Sequence, residues 1–387
     1  MFREKQILLD EKKIKQKLNK KKIKANKNKS INYLNKRRNK LLKATKNSTC
    51  LSKKIILIIL TSIFVSLLSF LFFYIKYKKS LKHIIPIAFS LNDKYFYPLI
   101  VSLTSILYNA APGTFYKFYL LLSPDLQESQ IQKILGLREI YPNCEIKLIP
   151  MGKKYSKYKT NFYKSVTVFY RMELSNLIND TDKLIYLDVD TITHKDLTEL
   201  YNIDMGKNYY MGFPGHDLTF IEFHGTRNFI NTGCILINLK KLREVNATFL
   251  LQDYYNKYGS KKVDEYLINA VFYDKIAFLP LKYGIPDFGA GRRFTRNSSH
   301  FLKQFKNYIN YTEEEMEYAS QHRVITHNCY ELVKWWNKDY YNLTKVGKQW
   351  LFYAAKSNVM DDICKYYNQF EPYCDQIKKE SKNNLII

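Results

Sequence analysis

The stretch KLIYLDVDT, Lys183 to Thr191, decides how the fold is read. An apolar run leads directly into two carboxylates spaced i, i+2, Asp188 and Asp190. A short continuous apolar segment of this kind reads as a strand buried on both faces. In open α/β sheets, ligands bind beyond the carboxyl ends of the strands. Two carboxylates held close together there repel unless a cation lies between them, and hard oxygen donors suit Mg²⁺ or Mn²⁺. Such an ion neutralises a diphosphate leaving group as it departs. A strand end with two solvated aspartates would look the same in isolation, so the surrounding sequence has to decide.

Toward the N-terminus, apolar and amphipathic segments alternate. Strands are expected at Ile84–Ser90, Phe115–Leu122 and Glu145–Ile149, with helices at Tyr95–Asn109, Gln127–Tyr141 and Ser165–Leu177. This alternation, ending in Lys183–Leu187, predicts an α/β fold with a mainly parallel sheet. Toward the C-terminus, strands are expected at Tyr209–Phe213, Gly233–Leu239 and Ile276–Pro280, and helices at Leu242–Gly259 and Val263–Phe272. The segment DFGAGRRFTRNS beginning at Asp287 reads as a polar loop, and the stretch to about Tyr373 as helical with aromatic packing.

The net charge of +27 raises the question of nucleic acid, and its location answers it. Residues 1–54 carry +17, 76–83 carry +4 and 84–387 only +6. The basic tail has Phe2 and Tyr33 as its only aromatics, too few for base stacking, so no specific nucleic-acid partner is expected. Between the basic segments lies Ile55–Ile75, 21 residues without charge, Pro or Gly, reaching roughly 32 Å as a helix. It reads as one transmembrane helix, with the bilayer as a partner. The excess of Lys and Arg before it favours a type II orientation, in a Golgi or other secretory membrane. The opposite topology, in a bacterial cell membrane with a cytosolic catalytic domain, stays open. The expected organisation is a basic tail at 1–54, the span at 55–75, a linker at 76–83, the α/β domain at 84–345 and a helical extension at 346–387. The cysteines form no CxxC pair, which disfavours a zinc ribbon, while Cys364 and Cys374 are placed for a local disulfide.

Several further segments, taken in order with the Asp188–Asp190 pair, resemble glycosyltransferase family 8, retaining enzymes of the GT-A fold. IPIAFSLNDKY from Ile85 resembles the family's first strand and uridine-binding turn, which implies that Ser90, Asn92 and Tyr95 hold the base and ribose. SVTVFYRMEL from Ser165 resembles the helix before the DxD strand. Arg171 on its apolar face needs an anionic partner, and contact with the nucleotide sugar or Asp188 is implied. FINTGCILINL from Phe229 resembles the F-N-[AST]-G strand, with Asn231 on sugar hydroxyls and Gly233 allowing close backbone approach. DEYLIN from Asp264 stands where the family has Asp-Gln-Asp, two apolar residues and Asn. Glu265 replaces the Gln and Tyr266 the second Asp. A carboxylate at Glu265 could act as a nucleophile or stabilise an oxocarbenium-like state. ITHNCYELVKWW from Ile325 resembles the H-x-x-G-x-x-K-P-W loop, with Tyr330 in place of Gly and one extra residue before Lys334. His327 would complete the metal site, and Lys334 would bind the diphosphate.

The resemblance implies a metal-dependent retaining transferase that moves glucose or galactose from a UDP-sugar to a hydroxyl on a glycan, protein or lipid. Its metal, Mn²⁺ or Mg²⁺, would be held by Asp188, Asp190 and His327. Its donor would be held by Ser90, Asn92, Tyr95, Arg171, Asp188 and Lys334. The catalytic set would be Glu265, Asn231 and Asp264, and Asp217 would face the acceptor. The alternatives are an inactive GT-A domain that binds UDP or glycan as a lectin or assembly subunit, and a nucleotidyltransferase. The latter lacks the Gly-rich basic loop it would need after the first strand.

Overall fold

The computed structural model describes residues 15, 17, 26, 28–43, 58–71, 83–159, 165–215, 225, 228–258, 263–286, 312–328, 334–336 and 345–383. The chain divides into two compact units, Met1–Ser80 and Leu81–Ile387. In the first, residues 28–43 and 58–71 are helical. Here the sequence expectation is corrected. Among the described residues, no helix is long and apolar enough to cross a membrane. The described helical residues, 58–71, account for about 21 Å of rise against the ~30 Å hydrocarbon core. The transmembrane span, the bilayer partner and the type II and bacterial-membrane placements all rested on a longer helix, and fall with it. Residues 55–57 and 72–75 of the expected span lie outside the described residues.

In the second unit, β1 (His83–Leu91), β2 (Thr114–Leu122) and β3 (Cys144–Pro150) alternate with α1 (Phe96–Tyr108) and α2 (Glu128–Ile140). They are followed by β4 (Lys183–Leu187), β5 (Thr191–Thr193), β6 (Tyr210–Pro214), β7 (Ile230–Asn238), β8 (Ile276–Phe278), β9 (Ile285–Pro286) and β10 (Ile325–His327). Seven strands form one sheet in the order β3-β2-β1-β4-β7-β6-β8. The half containing β1 to β4 is parallel, while β7 runs antiparallel to both β4 and β6. A second, small sheet has the order β5-β10-β9. The expected mainly parallel α/β fold is present.

The strands bury both faces, as their apolar composition requires. Ile85, Ile87 and Phe89 of β1 join Ile185 and Leu187 of β4 in one core, against α1 and α2. Ala88, Leu184 and Tyr186 point the other way, into a core shared with α3 (Ala247–Tyr258) and α4 (Asp264–Phe272). A slip of one residue would exchange the two sets, so both cores fix the register. The C-terminal helices Lys345–Ala355 and Met360–Tyr366 close the first core through Trp350, Leu351 and Ile363. Cys364 and Cys374 are joined by a disulfide.

Two expected helices differ. Ser165–Leu177 is a 3₁₀ helix at Val166–Glu173 with a short α-turn after it. Val166, Thr167 and Val168 are β-branched and lower helix propensity, and the Ser165 hydroxyl accepts the Thr167 N–H early in the turn. The expected Leu242–Gly259 helix is split into Leu239–Glu244 and α3. The break is at Asn246, with φ of 51° in the left-handed region that asparagine tolerates.

Candidate active site

β4 stops at Leu187, and Asp188 follows with its N–H bonded to the Gly233 carbonyl on β7 at 2.8 Å. The chain turns through Val189 and Asp190 into β5, which pairs antiparallel with β10, so that His327 lies opposite Thr191. Two residues at the end of a central strand and one from late in the chain therefore meet. One ligand atom from each of Asp188, Asp190 and His327 lies within 4.8 Å of the others, a group able to hold a metal ion. His327 Nε2 is 3.3 Å from Asp190 Oδ1 and 3.8 Å from Asp188 Oδ2. A Cβ on Gly233 would stand 2.0 Å from His327 Cε1 and 2.8 Å from Asp188 Oδ2. The space taken by the imidazole exists because residue 233 has no side chain. Two carboxylates and an imidazole in this arrangement fit Mn²⁺ or Mg²⁺.

Each aspartate has its own cation. Arg171, 6 % exposed, donates from Nη2 to Asp188 Oδ1 at 2.7 Å and from Nη1 to the Thr232 carbonyl at 2.6 Å. Its Nε lies 2.9 Å from Asp264 Oδ2, an ion pair by distance without hydrogen-bond angles. Its guanidinium also lies over the Tyr186 ring, 4.3 Å from the centroid. Burial acts to lower its pKa, but the carboxylates of Asp188 and Asp264 outweigh that and hold it charged. Lys334 Nζ contacts Asp190 Oδ2 at 2.5 Å and the Asn328 carbonyl at 2.8 Å. Burial works upward on Asp190, yet Lys334 and His327 keep its carboxyl well below the usual range. Lys334, expected to contact a diphosphate, rests here on Asp190, one of the candidate metal ligands.

On the other wall, Glu265 Oε2 accepts from Asn231 Nδ2 at 2.8 Å and from the Thr232 N–H at 3.2 Å. Burial, then the adjacent Asp264, pushes Glu265 up to about 7. Asp264 is pushed up to about 6 by burial and by Asp188, against the pull of Arg171. The cleft between these walls has a volume of about 220 Å³, and Ser90, Asn92, Tyr95, Arg171, Asp188, Asp190, Asn231, Asp264, Glu265, His327 and Lys334 all line it. Asn92 donates to the Ser165 hydroxyl at 3.1 Å, and its Oδ1 is buried without a hydrogen-bond partner. The Tyr95 ring meets Trp336 edge-on, with centroids 6.3 Å apart. Asp217 and Tyr330 lie outside the described residues.

Sequence reasoning missed three contributors. Thr232 offers its carbonyl to Arg171 and its N–H to Glu265, so its backbone joins the two walls. Asn328 supplies a carbonyl to Lys334, and Asn269 ties α4 to β7. Backbone groups leave no trace in residue identity. Asn269 alone carried a signal, as a polar residue in the apolar part of DEYLIN.

The glycosyl transferase family 8 profile matches residues 86–311. A candidate glycosyltransferase of Haemophilus influenzae is 28% identical over 311 residues, covering 75% of this chain and 85% of that protein. Among solved structures, the galactosyltransferase LgtC, in complex with donor and acceptor sugar analogues, superposes with a TM-score of 0.57 at 19% identity, over 71% of this chain and 96% of that one. The bifunctional glycosyltransferase WbbM gives a TM-score of 0.58 at 19% identity over 73% of this chain, which spans about half, 51%, of that protein. With the profile matched over more than half of its length and the fold shared with two solved glycosyltransferases, the chain belongs to glycosyltransferase family 8.

Proposed function

We propose that this glycosyltransferase moves a hexose, glucose or galactose, from a UDP-sugar to an acceptor hydroxyl with retention of configuration, and that it needs Mn²⁺ or Mg²⁺. The observation that carries the reading is the convergence of Asp188, Asp190 and His327 in one cleft that Glu265 and Asn231 also line. This supports reading one part of the cleft as the metal and diphosphate side and another as the sugar side. An inactive lectin-like domain would have no need for the buried, paired charges of both walls, so the intact site favours a transferase.

In this reading, Ser90, Asn92 and Tyr95 take the uridine, and the unpartnered Asn92 Oδ1 is an acceptor ready for a ligand N–H or O–H. The divalent ion, when bound, supplies charge neutralisation for the departing diphosphate. Arg171 holds Asp188 in place and links it to Asp264. Lys334 exchanges Asp190 for a phosphate oxygen, remaining a point charge beside the leaving group. Asn231 faces the sugar hydroxyls and orients Glu265. Glu265, as the carboxylate, faces the reacting carbon and either attacks it or stabilises its developing positive charge. The acceptor is a glycan, protein or lipid hydroxyl, with Asp217 as a candidate contact.

The test is release of UDP from UDP-glucose and UDP-galactose by the full chain, with Mn²⁺ and with EDTA. Metal-independent release, or none from any UDP-sugar, would overturn the reading. Glu265→Gln should lower turnover at least ~100-fold with UDP affinity unchanged, and full turnover in that variant would remove Glu265 from the chemistry.

A further inference from the structure

β7 continues past the end of its neighbour. Its pairing with β4 begins at Cys234, opposite Leu187, so Ile230 and Asn231 run on with no β4 strand alongside. The backbone of Ile230 is met instead by one side chain. Asn269, one turn after Glu265 on α4 and fully buried, accepts the Ile230 N–H at Oδ1 and donates from Nδ2 to the Ile230 carbonyl, both at 2.8 Å. The same Nδ2 donates to the Glu265 carbonyl at 2.8 Å. The amide acts as a single peptide unit of a missing strand.

These bonds close a ring. From the Glu265 carboxylate it passes through the Asn231 side chain to β7, through the Ile230 backbone to Asn269, and back to the Glu265 backbone. A buried primary amide is tolerated only when its groups are paired, and here each bond lands within one residue of Asn231 or on Glu265 itself. An apolar residue of similar size would pack α4 against β7 equally well, but would leave the Ile230 groups without these partners.

We propose that Asn269 is a positioning residue for sugar transfer: it fixes the separation of β7 and α4, and so holds the Asn231 amide against the Glu265 carboxylate. This rests on the reading that Asn231 and Glu265 act on the donor sugar. Uridine and diphosphate binding, built on Asn92, Arg171 and Lys334, does not pass through Asn269.

The experiment is a double-mutant cycle in the full chain, with UDP release from UDP-galactose and UDP-glucose as the rate and Mn²⁺-UDP affinity as the second readout. Asn269→Asp keeps the size and the acceptor for Ile230 N–H but loses both donors. It should lower kcat ~10- to 100-fold, the scale of a small misplacement at a reacting centre, and leave the Kd of UDP within about twofold. In an Asn231→Ala background, the same change should alter kcat less than about twofold, because the element it positions is gone. Losses that multiply in the double variant, or an Asn269→Asp enzyme with unchanged kcat, would overturn the proposal. Should Asn269→Asp fail to fold, as read by circular dichroism, Asn269→Ser takes its place in the cycle. Full activity in Asn231→Ala alone would sink the assignment of Asn231, and this inference with it. An impaired Asn231→Ala with a multiplicative cycle would sink only Asn269.

Discussion

A methyl group on Gly233 would overlap His327 Cε1, at 2.0 Å, and crowd Asp188 Oδ2, at 2.8 Å. Gly233→Ala is therefore expected to fold and to lose Mn²⁺ binding by at least ~10-fold, because small displacements of metal-ligating side chains and their supports cost that much. Isothermal titration with Mn²⁺ and UDP checks this, and unchanged binding would show that the imidazole is not required where it stands. Glu265 carries a second prediction. Its pKa is raised from 4.5 to about 7, so the folded protein keeps a proton that the unfolded chain releases in between. That stability is complete below the unfolded value and is lost as pH rises through about 7. Between pH 5 and 8, metal-free Glu265→Gln should gain on the wild type by on the order of 1–3 kcal/mol in urea unfolding, and a constant difference would refute the shift. At this scale Asp188 and Asp190 were legible as paired carboxylates at a strand end and Arg171 as a charge on an apolar face that needs a partner, while His327 was reached only through the family resemblance. That Lys334 rests on Asp190 was not legible, because residue type gives charge but not which neighbour it reaches.

The elements show where local sequence outweighs periodicity. The apolar pattern from Leu242 to Gly259 reads as one helix, yet Asn246 at φ 51° starts a new one. Asn246→Ala should cost about 1–2 kcal/mol, the left-handed penalty for a residue with a Cβ, while Asn246→Gly should not destabilise. Thermal unfolding of the pair distinguishes this from loss of an asparagine contact, which would penalise both. β1, β2 and β4 were read nearly to the residue, because strands buried on both faces are continuous apolar runs. β7 begins before Gly233, at Ile230, since Asn231 and Thr232 are polar members of a strand that faces the cleft. A polar strand end looks like a loop in sequence, and the same polarity is what the site uses.

Across the molecule, two apolar cores sandwich the sheet, and the C-terminal helices belong to one of them. Trp350 is 1 % exposed in the core that contains β1 and α1, and its ring lies 5.9 Å from Trp336, itself 6.3 Å from Tyr95 in the cleft. Trp350→Ala should cost ~3–5 kcal/mol and lower Tm by roughly 10 °C. It should also weaken UDP binding through Tyr95, and unaltered UDP affinity in the folded variant would uncouple the cap from the cleft. The α/β architecture was legible because strand and helix periods alternate cleanly. The membrane span was expected from length and apolarity alone, and among the described residues no helix is long and apolar enough to cross a membrane. The pairing of β10 with β5 has a consequence for the order in which the enzyme is made. The ribosome delivers both aspartates, Arg171, Asn231 and Glu265 well before His327 and Lys334. A nascent chain can stack its main sheet, strand upon strand, while its carboxylates still await the imidazole that arrives with β10. The candidate metal triad is thus complete only after the main sheet has been synthesised, and a chain still short of β10 cannot use it.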